Sequence, residues 1–230
     1  MMSDHEKPPQ HDFQASARTR IRRQPALGSH AREDVYRILD ASPLCHVGYL
    51  VDGAPFVTPT LQWRRDDTLY WHGSIASRFL QHAEGSPVCL TCTLMDGYVL
   101  ARSAFNHTVN YRSVMAFGTA RVLRSPEEKE LALRALTNGL FAGRWETLRP
   151  MDQTELNATS VLCMEIEEAS VKHRAGPPDD AEESHYPVWS GVIPVSTRLD
   201  APQPAPELAA DVPLPRALAE LVSCGRLRRT

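Results

Sequence analysis

Two Asp-Gly pairs, Asp52-Gly53 and Asp96-Gly97, each lie between two segments of strand length that are rich in apolar and β-branched residues. An Asp-Gly pair favours a two-residue hairpin turn, because both positions tolerate the positive φ that such a turn requires. The sequence therefore predicts two β-hairpins. Further strands are expected at residues 68–73, 110–123 and 160–174, so that about six antiparallel strands form a small barrel decorated by a few helices.

Residues 126–140 carry the strongest helix signal in the chain. Ser125 suits the N-cap, Pro126 the first helical position, and Glu128 the third position, where its side chain completes a capping box. Shorter helices are expected at 30–40, 74–85, 151–158 and 214–224, with Ser29 as the N-cap of the first of them.

The 230 residues, 42% of them hydrophobic, are enough for one sizeable core. We expect a flexible basic N-terminal tail over residues 1–28, which hold several charges and prolines and few apolar residues. A single barrel domain is expected over 29–197. Residues 198–230 are expected to form a Pro- and Ala-rich linker followed by a short helix.

Composition excludes several classes of function. The 25 basic and 28 acidic side chains give a balance that argues against a nucleic-acid-binding protein. No apolar run approaches the roughly 18 residues that cross a bilayer, and no signal peptide is visible, so a cytoplasmic protein without membrane contact is expected. Cys89 and Cys92 lie three apart on a predicted strand and so point to opposite faces, which predicts no metal site.

Acidic residues are missing from two long stretches. Residues 97–126 hold four arginines and His107 but no Asp or Glu, and residues 68–83 are also free of acids. Such segregation suits a bound polyanion, because arginine forks match phosphate and a nearby carboxylate would repel it. A solvated basic face is the alternative reading.

The segment YWHGSIASR predicts a phosphate site. It places Gly73, Ser74, Ser77 and Arg78 where a strand ends and a helix begins, so that backbone N–H groups, hydroxyls and a guanidinium are close together. The alternative is that one serine caps the helix and Arg78 is solvated. His72 is the best candidate for a catalytic proton donor, although a histidine that only donates a hydrogen bond fits equally well.

Two further sets of side chains suit a planar ligand. Thr58 and Thr60 share one face of a strand and could bond the polar edge of a ring, or they could simply be β-forming residues. Trp189 could stack on a flat ligand or close the core.

Residues 46–194 resemble the pyridoxamine 5′-phosphate oxidase-like, FMN-binding split-barrel superfamily. The resemblance is greatest to its flavin-nucleotide-binding branch, which includes the nitroimidazole-resistance proteins. It is carried by the strings HVGYLVDGAPFVTPT, LYWHGSIASR, NYRSVMAFGTARV and VWSGVIP in this order. The resemblance implies a six-stranded antiparallel split β-barrel that binds FMN at the interface of a homodimer.

The resemblance also implies which residues bind the cofactor. Residues 57–62, with Thr58 and Thr60, match the strand that meets the flavin, and His72-Gly73 match the end of the next strand. Ser77-Arg78 match the phosphate site. The remaining matches are Arg112-Ser113, the late Trp189 near the flavin ring and, more weakly, Lys172 and Arg174 at the phosphate end.

Three departures separate the chain from true pyridoxamine phosphate oxidases. Phe79 stands where those enzymes have lysine, Ser113 stands in place of glutamine, and no R-x-H-x-R motif follows Trp189. We therefore expect an FMN-dependent oxidoreductase that acts on an unidentified small molecule and does not oxidise vitamin B6. The alternatives are a non-catalytic flavin-binding or redox-sensing protein, and a haem-binding protein on the same barrel.

Overall fold

The structure, a computed structural model, describes residues 11–225 of the chain. Strands predominate in it, and every strand pairing is antiparallel. The strands are Gly28–Ser29 (β1), Leu44–Val51 (β2), Ala54–Arg65 (β3), Thr68–Ser74 (β4), Pro87–Leu100 (β5), Thr108–Val122 (β6), Thr159–Glu165 (β7), Glu168–Arg174 (β8) and Gly191–Pro194 (β9). The helices are Arg32–Ala41 (α1), Arg78–Ala83 (α2), Pro126–Leu140 (α3), Gln153–Ala158 (α4) and Arg216–Cys224 (α5).

Six strands form a closed ring in the order β2, β3, β4, β7, β6 and β5, and β5 and β6 pair to complete it. The predicted mainly β fold with a six-stranded antiparallel split barrel is therefore confirmed. The strand expected over 160–174 is two strands. β7 pairs with Ala120–Val122 of β6, and β8 pairs with residues 111–117 of the same strand.

Glycine is required at the point where β6 passes from one partner to the other. A Cβ atom on Gly118 would lie 2.2 Å from the carbonyl oxygen of Glu165 and 2.6 Å from the Met164 side chain. No other residue type leaves room for this close approach of two backbones. Gly118 thereby allows β7 to remain paired with the long strand.

The core lies inside the ring and is closed at one end by α1. Trp71, Leu90 and Leu162 are fully buried in it, together with Val35 and Leu39 of α1. A second, smaller cluster forms outside the ring, where α3 packs against β3 and β7. Burial of this apolar surface is the main force that holds the helices on the barrel.

One of the two predicted hairpins is confirmed and the other is wrong. Asp52 and Gly53 form a turn between β2 and β3, with φ values of 51° and 80°. Asp96-Gly97 lies inside the continuous strand β5, at a register shift between Met95 and Gly97. Glycine is needed there because a Cβ would lie 2.9 Å from the backbone oxygen of Ile193 on β9. Pairing with β9 thus replaces the expected turn.

The structure also differs from the expectation of a flexible tail over residues 1–28. Phe13 is buried in the main core, and the Ser16 hydroxyl and the Arg18 guanidinium donate to Glu168 on β8. Strand β1 then pairs with β8. The aromatic ring of Phe13 provides the apolar anchor that a low average hydrophobicity concealed. Residues 1–10 lie outside the described part of the chain.

The helix predictions hold with two corrections. α3 has the predicted bounds, and the Ser125 hydroxyl accepts a hydrogen bond from the Glu128 backbone N–H. The expected capping box is not formed, and the Ser125 hydroxyl donates to Glu127 instead. Ser29 is not an N-cap, because it belongs to β1, and α1 begins after Ala31. The terminal helix is present as α5. None of the described helices is long and apolar enough to span a membrane.

We expect Gly118→Ala to lower the free energy of unfolding by about 1–3 kcal/mol, because the added Cβ overlaps the β7 backbone. Gly139→Ala in α3 is the matched control. A Cβ at that position meets no atom within 4 Å, so the better helix former should raise stability by up to about 1 kcal/mol. Urea unfolding measures both changes. Equal stabilities of the two variants would contradict the close approach at β6.

Candidate cofactor site

One group of the predicted site residues lies where β3, β4 and the start of α2 meet. The Thr58 hydroxyl is 3.3 Å from the Tyr49 hydroxyl, and the Thr60 hydroxyl is 3.5 Å from the backbone carbonyl of His72. A Cβ on Gly73 would lie 3.0 Å from the Leu80 side chain, so the glycine lets α2 pack against the end of β4. Polar groups of two strands and a helix therefore line one edge of the barrel.

The segment between β4 and α2 leaves one cation available. The Ser74 hydroxyl accepts from the Ala76 N–H, and the Ser77 side chain makes no capping bond although Ser77 precedes the helix. Arg78 is the first residue of α2 and is exposed. Within residues 11–225, no carboxylate forms an ion pair with its guanidinium. Arg78 can therefore bind an external anion without breaking a bond.

His72 is half-buried beside the second hydrophobic cluster. Its ring lies 5.9 Å from the Trp63 ring, and its Nδ1 atom is buried with no hydrogen-bond partner among the described residues. Burial penalises the charged imidazolium and lowers the pKa of His72 below its ordinary value. A neutral ring here has a lone pair for a ligand or a substrate proton.

A second group of predicted residues lies on β6 and β8. The Arg112 guanidinium donates two hydrogen bonds to Asp96, at 2.9 and 2.6 Å, and holds the pKa of that carboxyl below its usual range. On the opposite face of β6, the Ser113 hydroxyl donates to the backbone carbonyl of Lys172. Arg102 and Arg124 are likewise paired, with Asp180 and Glu84. The acid-free stretch therefore meets acids supplied by other parts of the fold.

The two groups do not form one site within a single chain. Strands β2 and β5 lie between β3 and β6 in the sheet. With about 4.8 Å between neighbouring strands, Thr58 and Ser113 belong to strands roughly 14 Å apart. A ligand that touches both groups within one chain would have to lie across the sheet.

The outer face of the sheet formed by β2 and β3 carries exposed apolar side chains. Along β2, Leu44, His46 and Leu50 point outward and alternate with buried residues. Their neighbours on β3 include Val57, which is 65% exposed, and Leu61. Exposed apolar patches of this kind mark surfaces that bind a partner or a ligand.

An arm extends beyond the ring, formed by residues 96–111 at the end of β5 and the start of β6. Asp180 accepts hydrogen bonds from the Arg102 backbone N–H at 2.8 Å, from the Arg102 guanidinium at 3.0 Å and from the Ser190 hydroxyl at 2.8 Å. This cluster ties the arm to the loop before β9. Nothing local in the sequence pairs positions 78 residues apart, so it was not predicted.

Trp189 directly precedes Ser190, a member of this cluster, and is 64% exposed. Of the two alternatives for Trp189, closing the core does not hold. A Cβ on Gly191 would lie 3.0 Å from the indole ring, so the glycine lets the ring approach β9. The indole remains available for stacking.

A split barrel with polar residues at the β3–β4 edge is the architecture of a known family. The family model of pyridoxamine 5′-phosphate oxidase matches residues 31–173. This chain belongs to that family. No curated protein sequence matches it.

Two solved structures are similar to almost the whole chain. The flavocytochrome Anf3 from Azotobacter vinelandii is 45% identical, with 90% of this chain and 97% of that chain covered and a TM-score of 0.85. The FAD and haem binding protein from Mycobacterium smegmatis is 37% identical, with 88% and 100% covered and a TM-score of 0.83. A nitroimidazole-resistance candidate from Bacteroides thetaiotaomicron shares the fold, at 21% identity, 63% and 85% coverage and a TM-score of 0.51.

We expect the His72 imidazole to titrate below pH 6.5, since burial disfavours its charged form. Protonation then favours the unfolded chain. The contribution of His72 to stability is present above pH 6.5 and is lost as the pH falls through the lower pKa of the folded protein. An NMR titration, with the resonance assigned by its loss in His72→Gln, measures this. A midpoint at or above 6.5 would show that burial does not lower the pKa of this ring.

Proposed function

We propose that the chain is a redox protein that binds a flavin and a haem. The observation that carries this proposal is its likeness, over at least 88% of its length, to a flavocytochrome and to an FAD and haem binding protein. Both identities exceed 35%, and both matches extend beyond the barrel shared with the wider family. The flavin exchanges one or two electrons and the haem iron one, which suits an oxidoreductase.

The residues at the β3–β4 edge fit a flavin phosphate. Arg78 offers an exposed guanidinium without an ion-pair partner in the described part of the chain, and Ser77 adjoins it. Thr58 and Thr60 offer hydroxyls on the neighbouring strand. We propose these groups, with Gly73 and Ser74, as the phosphate end of the site. The sequence led to FMN as the expected cofactor. FMN is the part of FAD that carries this first phosphate, so the same residues serve either nucleotide.

A haem site needs an apolar surface and an axial ligand for the iron, and a histidine nitrogen is one such ligand. The outer face of the sheet offers exposed aliphatic side chains, and His46 lies among them. His72 and His107 lie at other edges of the barrel and arm. The donor set is therefore suitable for a haem.

We further propose a homodimer in which a second copy covers this outer face. Leu44, Leu50 and Val57 are at least half exposed, although each is apolar. Pairing two such faces removes them from water. It also offers a way for Ser113, Lys172 and Trp189 of one protomer to meet the Arg78 group of the other. The dimer thus accounts for two groups of site residues that one chain keeps apart.

Oxidation of vitamin B6 phosphate is not part of this proposal. Phe79, which replaces a lysine of the true oxidases, is buried, and its ring lies 4.8 Å from that of Tyr49. Arg198, the only arginine that follows Trp189 closely, pairs with Asp200 on the exposed tail. Neither side chain is therefore available to bind the phosphate of vitamin B6 phosphate. We propose an unidentified small molecule as substrate, with His72 as candidate proton donor.

The visible absorption spectrum of the purified protein tests this function. We expect a Soret band together with flavin bands, and chromatography of the heat-released flavin identifies it as FMN or FAD. Flavin without haem, even after addition of hemin, would reduce the proposal to a simple flavoprotein. A colourless protein that takes up neither cofactor would refute it.

We expect Arg78→Ala to raise the dissociation constant of the flavin by about 10- to 100-fold. The reason is that a hydrogen bond to a charged group contributes about 1.5–3 kcal/mol. Arg216→Ala is the control, because Arg216 is exposed on α5 and pairs with Glu220. Fluorescence quenching during titration with FMN and with FAD measures the affinity. Equal affinities of the two variants would remove Arg78 from the phosphate site.

A further inference from the structure

We propose that His107, on the arm, is an axial ligand of the haem iron, an inference that rests on the haem-binding function proposed above. Two independent features lead to it. The first is the hydrogen bond of its ring, and the second is an exposed apolar platform on the same face of the arm.

The ring of His107 is held with one nitrogen free. Its Nδ1 atom lies 2.7 Å from the backbone carbonyl oxygen of Ser103. A carbonyl oxygen only accepts hydrogen bonds, so Nδ1 carries the proton and Nε2 keeps its lone pair in the neutral ring. Metal-binding histidines characteristically donate their second ring N–H to such a carbonyl, which fixes both tautomer and orientation. His107 already has this arrangement and is exposed.

The platform consists of Tyr98, Leu100, Val109, Trp189 and Ile193. Tyr98 pairs with Val109 on one side and with Ile193 on the other, so the three side chains form a row across β6, β5 and β9. Leu100 pairs with Gly191, whose missing Cβ is replaced by the Trp189 ring. Tyr98, Trp189 and Ile193 are all at least half exposed. A flat apolar macrocycle would bury this surface.

Strand alternation places His107 on the same face as the platform. Side chains along a strand alternate between faces, so Val109, Tyr111 and Ser113 share the outer face of β6. His107 directly precedes β6 and has an extended backbone, with φ −63° and ψ 137°. The alternation therefore continues to His107 on the outer side. The adjacent Phe105, which is 91% exposed, adds a further ring at the tip of the arm.

The arm is rigid enough to present a metal ligand. The Asp180 cluster joins Arg102 to the loop before β9, and the Asn110 side chain donates to the Gly176 carbonyl at 3.0 Å. Both ends of the loop that contains His107 are thus attached to the same neighbouring segment. Preorganisation of this kind favours tight binding, because little freedom is lost when the ligand binds.

Three other histidines of the described residues lack one of the two features. His82 has the same ring geometry, with Nδ1 2.8 Å from the Arg78 carbonyl, but it lies on α2, away from the platform. His46 faces the apolar sheet, yet no hydrogen bond fixes its ring within the described residues. His72 has a buried Nδ1 without a partner among those residues.

The test compares the haem content and visible spectrum of the purified holoprotein with those of His107→Gly and His82→Gly. We expect His107→Gly to contain at least tenfold less haem per chain than the wild type while it keeps its flavin. His82→Gly should have the haem content and the spectrum of the wild type. Added imidazole should restore the wild-type Soret band in His107→Gly, because it occupies the space of the deleted ring. His107→Met should retain haem with an altered spectrum, since a thioether replaces the imidazole.

The outcomes separate the two proposals. Wild-type protein that binds no haem after reconstitution with hemin would overturn the haem-binding function and this inference with it. Wild-type protein that binds haem, together with an unchanged spectrum and haem content in His107→Gly, would overturn the ligand assignment alone. If His107→Gly loses both its flavin and its cooperative unfolding transition, the variant has not folded, and His107→Met becomes the deciding variant. An unchanged spectrum of His107→Met would then overturn the assignment.

Discussion

The pairing of β6 with three other strands is the constraint on which the molecule depends. Its first part lies between β5 and β8, and its last part binds β7, so that one strand belongs both to the closed ring and to the extended sheet. The close approach at Gly118 makes this change of partner sterically feasible. Because the ring closes here, the remaining strands have fixed positions, and the outer face of the sheet faces away from the core.

The two proposed cofactor regions follow from this geometry. At the β3–β4 edge, the fold leaves Arg78 exposed and, within residues 11–225, free of the ion pairs that neutralise Arg102 and Arg112. On the arm, β9 replaces β2 as the neighbour of β5, which widens the apolar face toward Trp189. A flavin phosphate needs the first environment and a haem the second. The proposed dimer brings both kinds of surface to one interface.

Much of the barrel was predictable because its signals are local. The Asp52-Gly53 turn, the helix that begins at Ser125 and the alternation of β2 all depend on neighbouring residues. Where a distant strand decides the conformation, local reading failed. Asp96-Gly97 has the composition of a turn, but β9 pairs with it and keeps β5 extended. Phe13 likewise packs into a core that its own sequence neighbourhood does not reveal.

The sequence by itself determined the fold class, the family resemblance and the residue types at the proposed phosphate site of the β3–β4 edge, since each is encoded in short contiguous strings. Only the tertiary structure decided which charged groups remain available. Arg112 was a cofactor candidate from its acid-free surroundings, and the fold binds it to Asp96; Arg78 came from the same reasoning and stays unpaired among the described residues. It also decided that Trp189 is exposed and that the His107 ring is hydrogen-bonded to the Ser103 carbonyl. Contacts between segments that are distant in the chain decide these outcomes, and the local pattern of charge or hydrophobicity does not predict such contacts.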